Sequence, residues 1–196
     1  MRNILVVVDM QKDFIDGALG TPEAVGILPT VKALCDCFEG EKIFTRDTHG
    51  EDYLSGREGR LLPVPHCIKG TEGHAISPEL STDGALIIDK PTFGSVELQS
   101  YIISENEKER IDEITLIGLC TDICVISNAM LLKAALPECE ISVVADACAG
   151  VTPQSHENAL SAMKMCQITV YESAFEFTGV KVMRKYDAAF RELAKH

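Results

Sequence analysis

The stretch Asn3-Ile4-Leu5-Val6-Val7-Val8-Asp9 decides the fold. Five consecutive apolar residues, three of them valine, carry neither helical nor alternating periodicity and end on a carboxylate. A run this short and this uniformly apolar reads as a strand, Asn3–Val8, buried on both faces, as in a parallel sheet covered by helices. Further strands are expected at Lys42–Thr45, Ala85–Ile88, Ile114–Gly118, Ile141–Ala145 and Gln167–Tyr171. Helices are expected at Glu23–Phe38, Ser95–Ser104, about Asp122 to Ala135, Pro153–Met165 and, to close the chain, Val182–Ala194. In the first of these, Val25, Leu28, Val31, Leu34 and Cys35 fall at helical spacing. Strands alternating with helices predict a three-layer α/β/α, Rossmann-like architecture with a mainly parallel sheet.

Composition narrows the function. A chain of 196 residues suits one domain over 1–196, and 46% hydrophobic residues suffice for a sizeable core. The net charge of −12 disfavours general contact with nucleic acid or an anionic membrane, because phosphates repel it. A small neutral or cationic substrate suits it better. The run Ile4–Val8 is too short for a signal peptide, and no apolar stretch approaches the roughly 20 residues needed to span a bilayer, so a cytoplasmic protein is expected. The eight cysteines then read mostly as small buried hydrophobes rather than disulfides, with Cys35, Cys37 and Cys166 in apolar patterns.

Parallel sheets place their sites at the carboxyl ends of their strands. There stand Asp9, Asp47 with His49, Asp89 with Lys90, the segment Cys120–Cys124, and Asp146. The long irregular segment from Thr48 to about Ser81 interrupts the alternation, and such loops are often functional. Cys124 falls in the first turn of a helix, where free amides and a positive partial charge favour a thiolate and would stabilise an oxyanion. Position alone leaves open a packed small residue, or a redox pair with Cys120. Asp9, desolvated at a strand end, is a candidate base, or else a cap or loop anchor. Lys90 could steady a thiolate, or be a solvated charge.

Five segments together resemble the isochorismatase-like cysteine hydrolases, and within them the nicotinamidases. They are Val7-Val8-Asp9-Met10-Gln11-Lys12-Asp13-Phe14, Thr45-Arg46-Asp47-Thr48-His49, Pro65-His66-Cys67-Ile68-Lys69-Gly70-Thr71, Asp89-Lys90-Pro91-Thr92-Phe93 and Gly118-Leu119-Cys120-Thr121-Asp122-Ile123-Cys124-Val125. The resemblance implies the isochorismatase-like hydrolase fold, with Asp9 as base, Lys90 as its electrostatic partner and Cys124 as nucleophile. It also implies a cis peptide at Leu119–Cys120 and an oxyanion hole built from the backbone amides of Cys120 and Cys124. Phe14 and Phe93 align with the residues that wall the substrate ring; the chain has no tryptophan to serve there.

Asp47 and His49 are two apart at a strand end and so share a face, while His66 follows the stiff Pro63-Val64-Pro65. Such residues suit zinc, iron or manganese. The resemblance implies one divalent transition metal, most readily zinc, beside the thiol and binding the pyridine nitrogen of nicotinamide. No third histidine lies between His49 and His66. Some relatives use a glutamate, which points to Glu58, with Glu51 and Asp52 as competitors. The expected activity is hydrolysis of nicotinamide to nicotinate and ammonia. An N-carbamoyl or ureido amidohydrolase and a non-catalytic binder of the same fold are the alternatives. The expected partner is a small-molecule amide. A homo-oligomer and the roles of His74 and His156 are left open.

Overall fold

The structure, a computed structural model, describes residues 1–181. In chain order the elements are β1 (Asn3–Val8), α1 (Lys12–Ile15), α2 (Pro22–Cys37), β2 (Glu41–Asp47), a 3-10 turn (Tyr53–Ser55), α3 (Arg57–Leu61), β3 (Leu86–Lys90), α4 (Val96–Lys108), β4 (Glu113–Leu119), a π turn (Thr121–Val125), α5 (Ile126–Ala135), β5 (Glu140–Ala149), α6 (Pro153–Met165) and β6 (Thr169–Tyr171). A helical segment over 174–181 follows. The sheet runs β3-β2-β1-β4-β5-β6 with every neighbouring pair parallel. The chain winds outward from β1 to β3 and resumes on the other side of β1 at β4, so the order reverses between β1 and β4. That reversal opens a crevice beyond the carboxyl ends of the two strands.

Sequence explains the layers. Residues Ile4 to Val8 are fully buried. Ile4, Val6 and Val8 pack with Leu98 and Ile102 of α4, Ala129 and Leu132 of α5, and Leu160 and Met163 of α6. Leu5 and Val7 face the other way, onto Ala24, Ile27, Leu28, Val31 and Leu34 of α2. Each such side chain contributes about 1.5–3 kcal/mol on burial. The five together therefore amount to on the order of 10 kcal/mol before chain entropy, comparable to the net stability of a whole domain. Helix starts follow local chemistry. The Thr21 hydroxyl accepts from the Ala24 amide ahead of Pro22, and Thr152 forms a capping box with Ser155 ahead of Pro153.

Three expectations need correction. β5 runs four residues past Ala145, because a register shift opposite Leu116 and Gly118 lets exposed Asp146 point outward while Ala145 and Ala147 stay buried. Asp146 accepts the Ala174 amide at 2.8 Å instead of ending the strand. Cys37 and Cys166 are exposed, not buried as Cys35 is: one ends α2 and the other follows α6, beyond the packed faces. The segment after β2 is not wholly irregular, since it holds the 3-10 turn and α3. The expected helix Val182–Ala194 lies outside the described residues.

Gly118 stands beside Val8 in the β1–β4 ladder with φ +114°, and a Cβ there would come within 2.2 Å of the Val8 carbonyl oxygen. Gly26, exposed inside α2, has nothing within 4 Å of a Cβ. Gly118→Ala is therefore expected to destabilise the fold by about 2 kcal/mol or more. Gly26→Ala should stabilise it by about 0.5–1 kcal/mol. Equilibrium urea denaturation of both variants checks this opposition of sign.

Candidate active site

Three strands deliver three side chains to the crevice. Asp9 follows β1 with φ +47°, a backbone turn that aspartate tolerates better than most residues, and it is fully buried. Lys90 ends β3 and is 1% exposed, so it is not the solvated charge that its position alone left open. Cys124 lies in the π turn after β4 and is buried. Lys90 Nζ stands 2.6 Å from Asp9 Oδ2, 3.3 Å from Asp47 Oδ1 and 3.4 Å from Cys124 Sγ. It also donates to the Thr92 carbonyl at 3.1 Å. Thr45 Oγ1 donates to Asp9 Oδ1 at 2.7 Å. Asp9 Oδ2, although ion-paired with Lys90, accepts no hydrogen bond of good geometry from the residues described and so retains acceptor capacity. The peptide Leu119–Cys120 is cis.

These contacts govern the protons. Burial pushes the Asp9 carboxyl up; Lys90 pulls it down and Asp47 pushes it up, leaving it above the ordinary carboxylate value. Burial also pushes the Cys124 thiol well up; Asp9 adds to this and Lys90 opposes it. Burial works against the Lys90 charge, but Asp9, Cys124 and Asp47 outweigh it and hold the ammonium above the ordinary lysine value. The opening turn is π-type, and burial beside Asp9 works against the resting thiolate that a helix start was expected to favour. Burial thus favours the protonated thiol of Cys124 beside a lysine held in its charged form. Cys120 is pushed up to about 12 by burial, which does not suit a reactive partner thiolate.

Asp47 faces both ways. Its Oδ1 meets Lys90, while its Oδ2 lies 2.9 Å from His49 Nε2 and 3.4 Å from His66 Nε2. Glu58 Oε1, delivered by α3, lies 3.5 Å from His49 Nε2 and 3.9 Å from His66 Nε2. One ligand atom from each of Asp47, His49, Glu58 and His66 lies within 4.8 Å of the others. Ligands about 2.1 Å from a shared ion lie roughly 3–4 Å from one another, so the spacing fits a metal, and two imidazoles with two carboxylates suit a divalent transition metal better than calcium or magnesium. His66 Nδ1–H donates to the Val64 carbonyl at 2.8 Å, which turns a free Nε2 lone pair toward the cluster. Burial would raise the Asp47 carboxyl, but His49, His66 and Lys90 hold it well below the ordinary value. Glu51 and Asp52 are exposed and lie outside this group.

A cavity of 230 Å³ joins the two clusters. Asp47, Glu58 and His66 line one part and Cys120 and Cys124 another, with Phe14, Phe93, Leu62, Ile123 and Val151 among the walls. Phe14 packs 5.4 Å from the His66 ring, and Phe93 is 44% exposed, so it belongs to the cavity wall rather than the core. Larger hollows of 410 and 520 Å³ lie elsewhere and hold neither the thiol nor the cluster. His74 pairs with Thr48 Oγ1 at 2.9 Å, and His156 with Thr121 Oγ1 at 2.8 Å; neither joins the metal-capable group. Sequence reasoning missed Thr45 and Asn128. The Asn128 amide donates to the carbonyls of Cys124 at 2.8 Å and Phe93 at 3.2 Å, tying the thiol's turn to the cavity wall. Its signal was a polar residue on an otherwise apolar helix face.

The Isochorismatase domain family model matches residues 3–174. The chain is 28% identical over 192 residues to the nicotinamidase of Escherichia coli (strain K12), covering 82% of this chain and 89% of that one. It superposes on the pyrazinamidase of Pyrococcus horikoshii in complex with zinc with a TM-score of 0.72 at 32% identity, covering 87% of this chain and 98% of that one. It matches N-carbamoylsarcosine amidase from Thermoplasma acidophilum with a TM-score of 0.72 at 28% identity, over 89% and 98% of the two chains. With the parallel α/β/α sheet and the match to nearly its whole described length, the chain belongs to the isochorismatase family of hydrolases, in its nicotinamidase/pyrazinamidase branch.

Proposed function

We propose that this protein is a nicotinamidase, hydrolysing nicotinamide to nicotinate and ammonia through a thioester on Cys124. The observation that carries the reading is the cavity itself. One small, apolar space has a nucleophile at one side and a metal-capable cluster at another. Its 230 Å³ falls below the roughly 300–1,000 Å³ of pockets for drug-sized ligands, which suits a single ring bearing one carboxamide. The second reading, an N-carbamoyl or ureido substrate, rests on the likeness to N-carbamoylsarcosine amidase.

When bound, a divalent metal such as zinc would supply a Lewis-acid anchor for the ring nitrogen, held by Asp47, His49, Glu58 and His66. Phe14 and Phe93 flank the ring and direct the carboxamide toward the thiol. Asp9 takes the Cys124 proton and the sulfur attacks the carbonyl carbon. The amides of Cys120 and Cys124 hold the oxyanion while Lys90 stays charged beside the thiolate. The C–N bond breaks as Asp9 passes its proton to the departing ammonia. Asp9 then takes a proton from water, which cleaves the C–S bond, yields the acid and restores the thiol.

Ammonia release from nicotinamide, measured with a coupled dehydrogenase, tests the reading, and N-carbamoylsarcosine in the same assay tests the alternative. Cys124→Ala should remove turnover in a folded protein, whereas Cys120→Ala, which keeps the backbone amide, should be mild. Asp9→Asn should lower turnover by about 10²–10⁴-fold, since it cannot move the proton. The same change removes the carboxylate that raises the thiol, so the Cys124 pKa should fall toward Lys90's control. Alkylation of Cys124 by iodoacetamide at pH 7 should therefore persist or quicken in Asp9→Asn while turnover collapses. Near-normal turnover in Asp9→Asn would assign the proton to another group.

The metal centre has its own test. Elemental analysis should find about one divalent transition metal per chain in the wild type. Occupancy should fall in His49→Ala and Glu58→Ala and hold in Glu51→Ala and Asp52→Ala. Full occupancy in Glu58→Ala would remove that carboxylate from the ligand set.

A further inference from the structure

Gln11 belongs to none of the groups described so far, yet it is fully buried and every polar atom of its side chain is used. Its Oε1 accepts the Asp47 amide at 2.7 Å. Its Nε2 donates to the Asp47 carbonyl at 2.8 Å and to the His74 carbonyl at 3.0 Å. The place of these bonds gives them their meaning. The β1–β2 ladder pairs Val7 with Phe44, and its continuation ends as Asp9 turns to positive φ and donates to the Thr45 carbonyl at 3.2 Å. Beyond that point β1 no longer offers backbone to β2. A side-chain amide has the donor and acceptor of a peptide group, and Gln11 uses both on one residue, as a strand neighbour would.

The residue so held is Asp47, whose two oxygens face different partners. Oδ1 meets Lys90 at 3.3 Å and Oδ2 meets His49 at 2.9 Å. A small rotation of the Asp47 backbone would swing both oxygens together and loosen both contacts. The His74 carbonyl adds a second anchor, tying the clamp to the loop that also receives the Lys12 amide on Ala75 and returns the Ser77 amide to Met10.

We infer that Gln11 is a positioning residue for the metal centre: its side-chain amide extends the β1–β2 ladder by one step and thereby sets the orientation of Asp47 toward the ion. This rests on the metal reading of the Asp47, His49, Glu58 and His66 group. Groups that orient a metal ligand typically govern about 10–100-fold in affinity.

Gln11→Met keeps the length of the side chain and removes all three hydrogen bonds. Wild type and variant are stripped with a chelator and titrated with zinc in competition with a chromogenic indicator, and the thermal midpoints of the stripped forms are recorded alongside. The expected result is about 10–100-fold weaker zinc binding by Gln11→Met, a loss larger than any change in the stability of the stripped protein accounts for. Gln11→Glu, which keeps the acceptor for the Asp47 amide and loses both donors, should fall between the two, and it carries the test if Gln11→Met does not fold. Equal zinc affinity in wild type and folded variant overturns the inference. So does a lowered thermal midpoint with zinc affinity unchanged, the signature of a merely structural residue. A wild type that binds no zinc overturns the metal reading itself, a different failure.

Discussion

The arrangement of this site depends on one buried ammonium. Lys90 Nζ is closed to solvent and ringed by Asp9, Asp47, Cys124 and the Thr92 carbonyl. An isolated charge there would cost several kcal/mol in lost hydration, and only good geometry with opposite charges repays that. The pairing is long-range in sequence: Asp47 lies 43 residues before Lys90 and Cys124 lies 34 after it. Four strand ends must therefore be in register before the cation is satisfied. The sheet order supplies this, since β3, β2, β1 and β4 are consecutive neighbours whose carboxyl ends open on the same crevice.

The same cation links the two halves of the proposed chemistry. Through Asp9 it faces the group proposed to take the thiol's proton, and through Asp47 it faces the metal-capable group. Both Asp9 and Cys124 are pushed up, and in the proposed mechanism moving the proton from sulfur to oxygen creates the nucleophile with no change in net charge. A buried site tolerates such a shift far better than the creation of a new charge. An apolar cavity around the thiol thus agrees with a proposed base that is itself desolvated.

Much of the fold was legible because the decisive residues are buried on two faces. Runs such as Ile4–Val8 have no polar side to confuse the reading, and the helices between them begin at recognisable caps such as Thr21-Pro22 and Thr152-Pro153. β5 was misjudged because one outward Asp146 looks in sequence like an end. At the site, Asp9, Lys90 and Cys124 stood out by their place after strands, but no local pattern could report that Lys90 is buried, since its partners come from other elements. Glu51, Asp52 and Glu58 are equivalent as letters; only the 3-10 turn and α3 bring Glu58 to the histidines. Gln11 gave no signal, because a neutral amide after a strand resembles any loop residue until its partners are known.

The central claim is covalent: the acyl group of a heteroaromatic carboxamide passes through the sulfur of Cys124. Acid quenching of the metal-loaded enzyme during turnover of nicotinamide, followed by digestion and mass spectrometry, observes this directly. A nicotinoyl group is expected on the peptide that contains Cys124, lost on standing in neutral buffer and absent after prior alkylation of that thiol. A nicotinoyl group on any other residue, or steady production of nicotinate by enzyme whose Cys124 is fully alkylated, would contradict it.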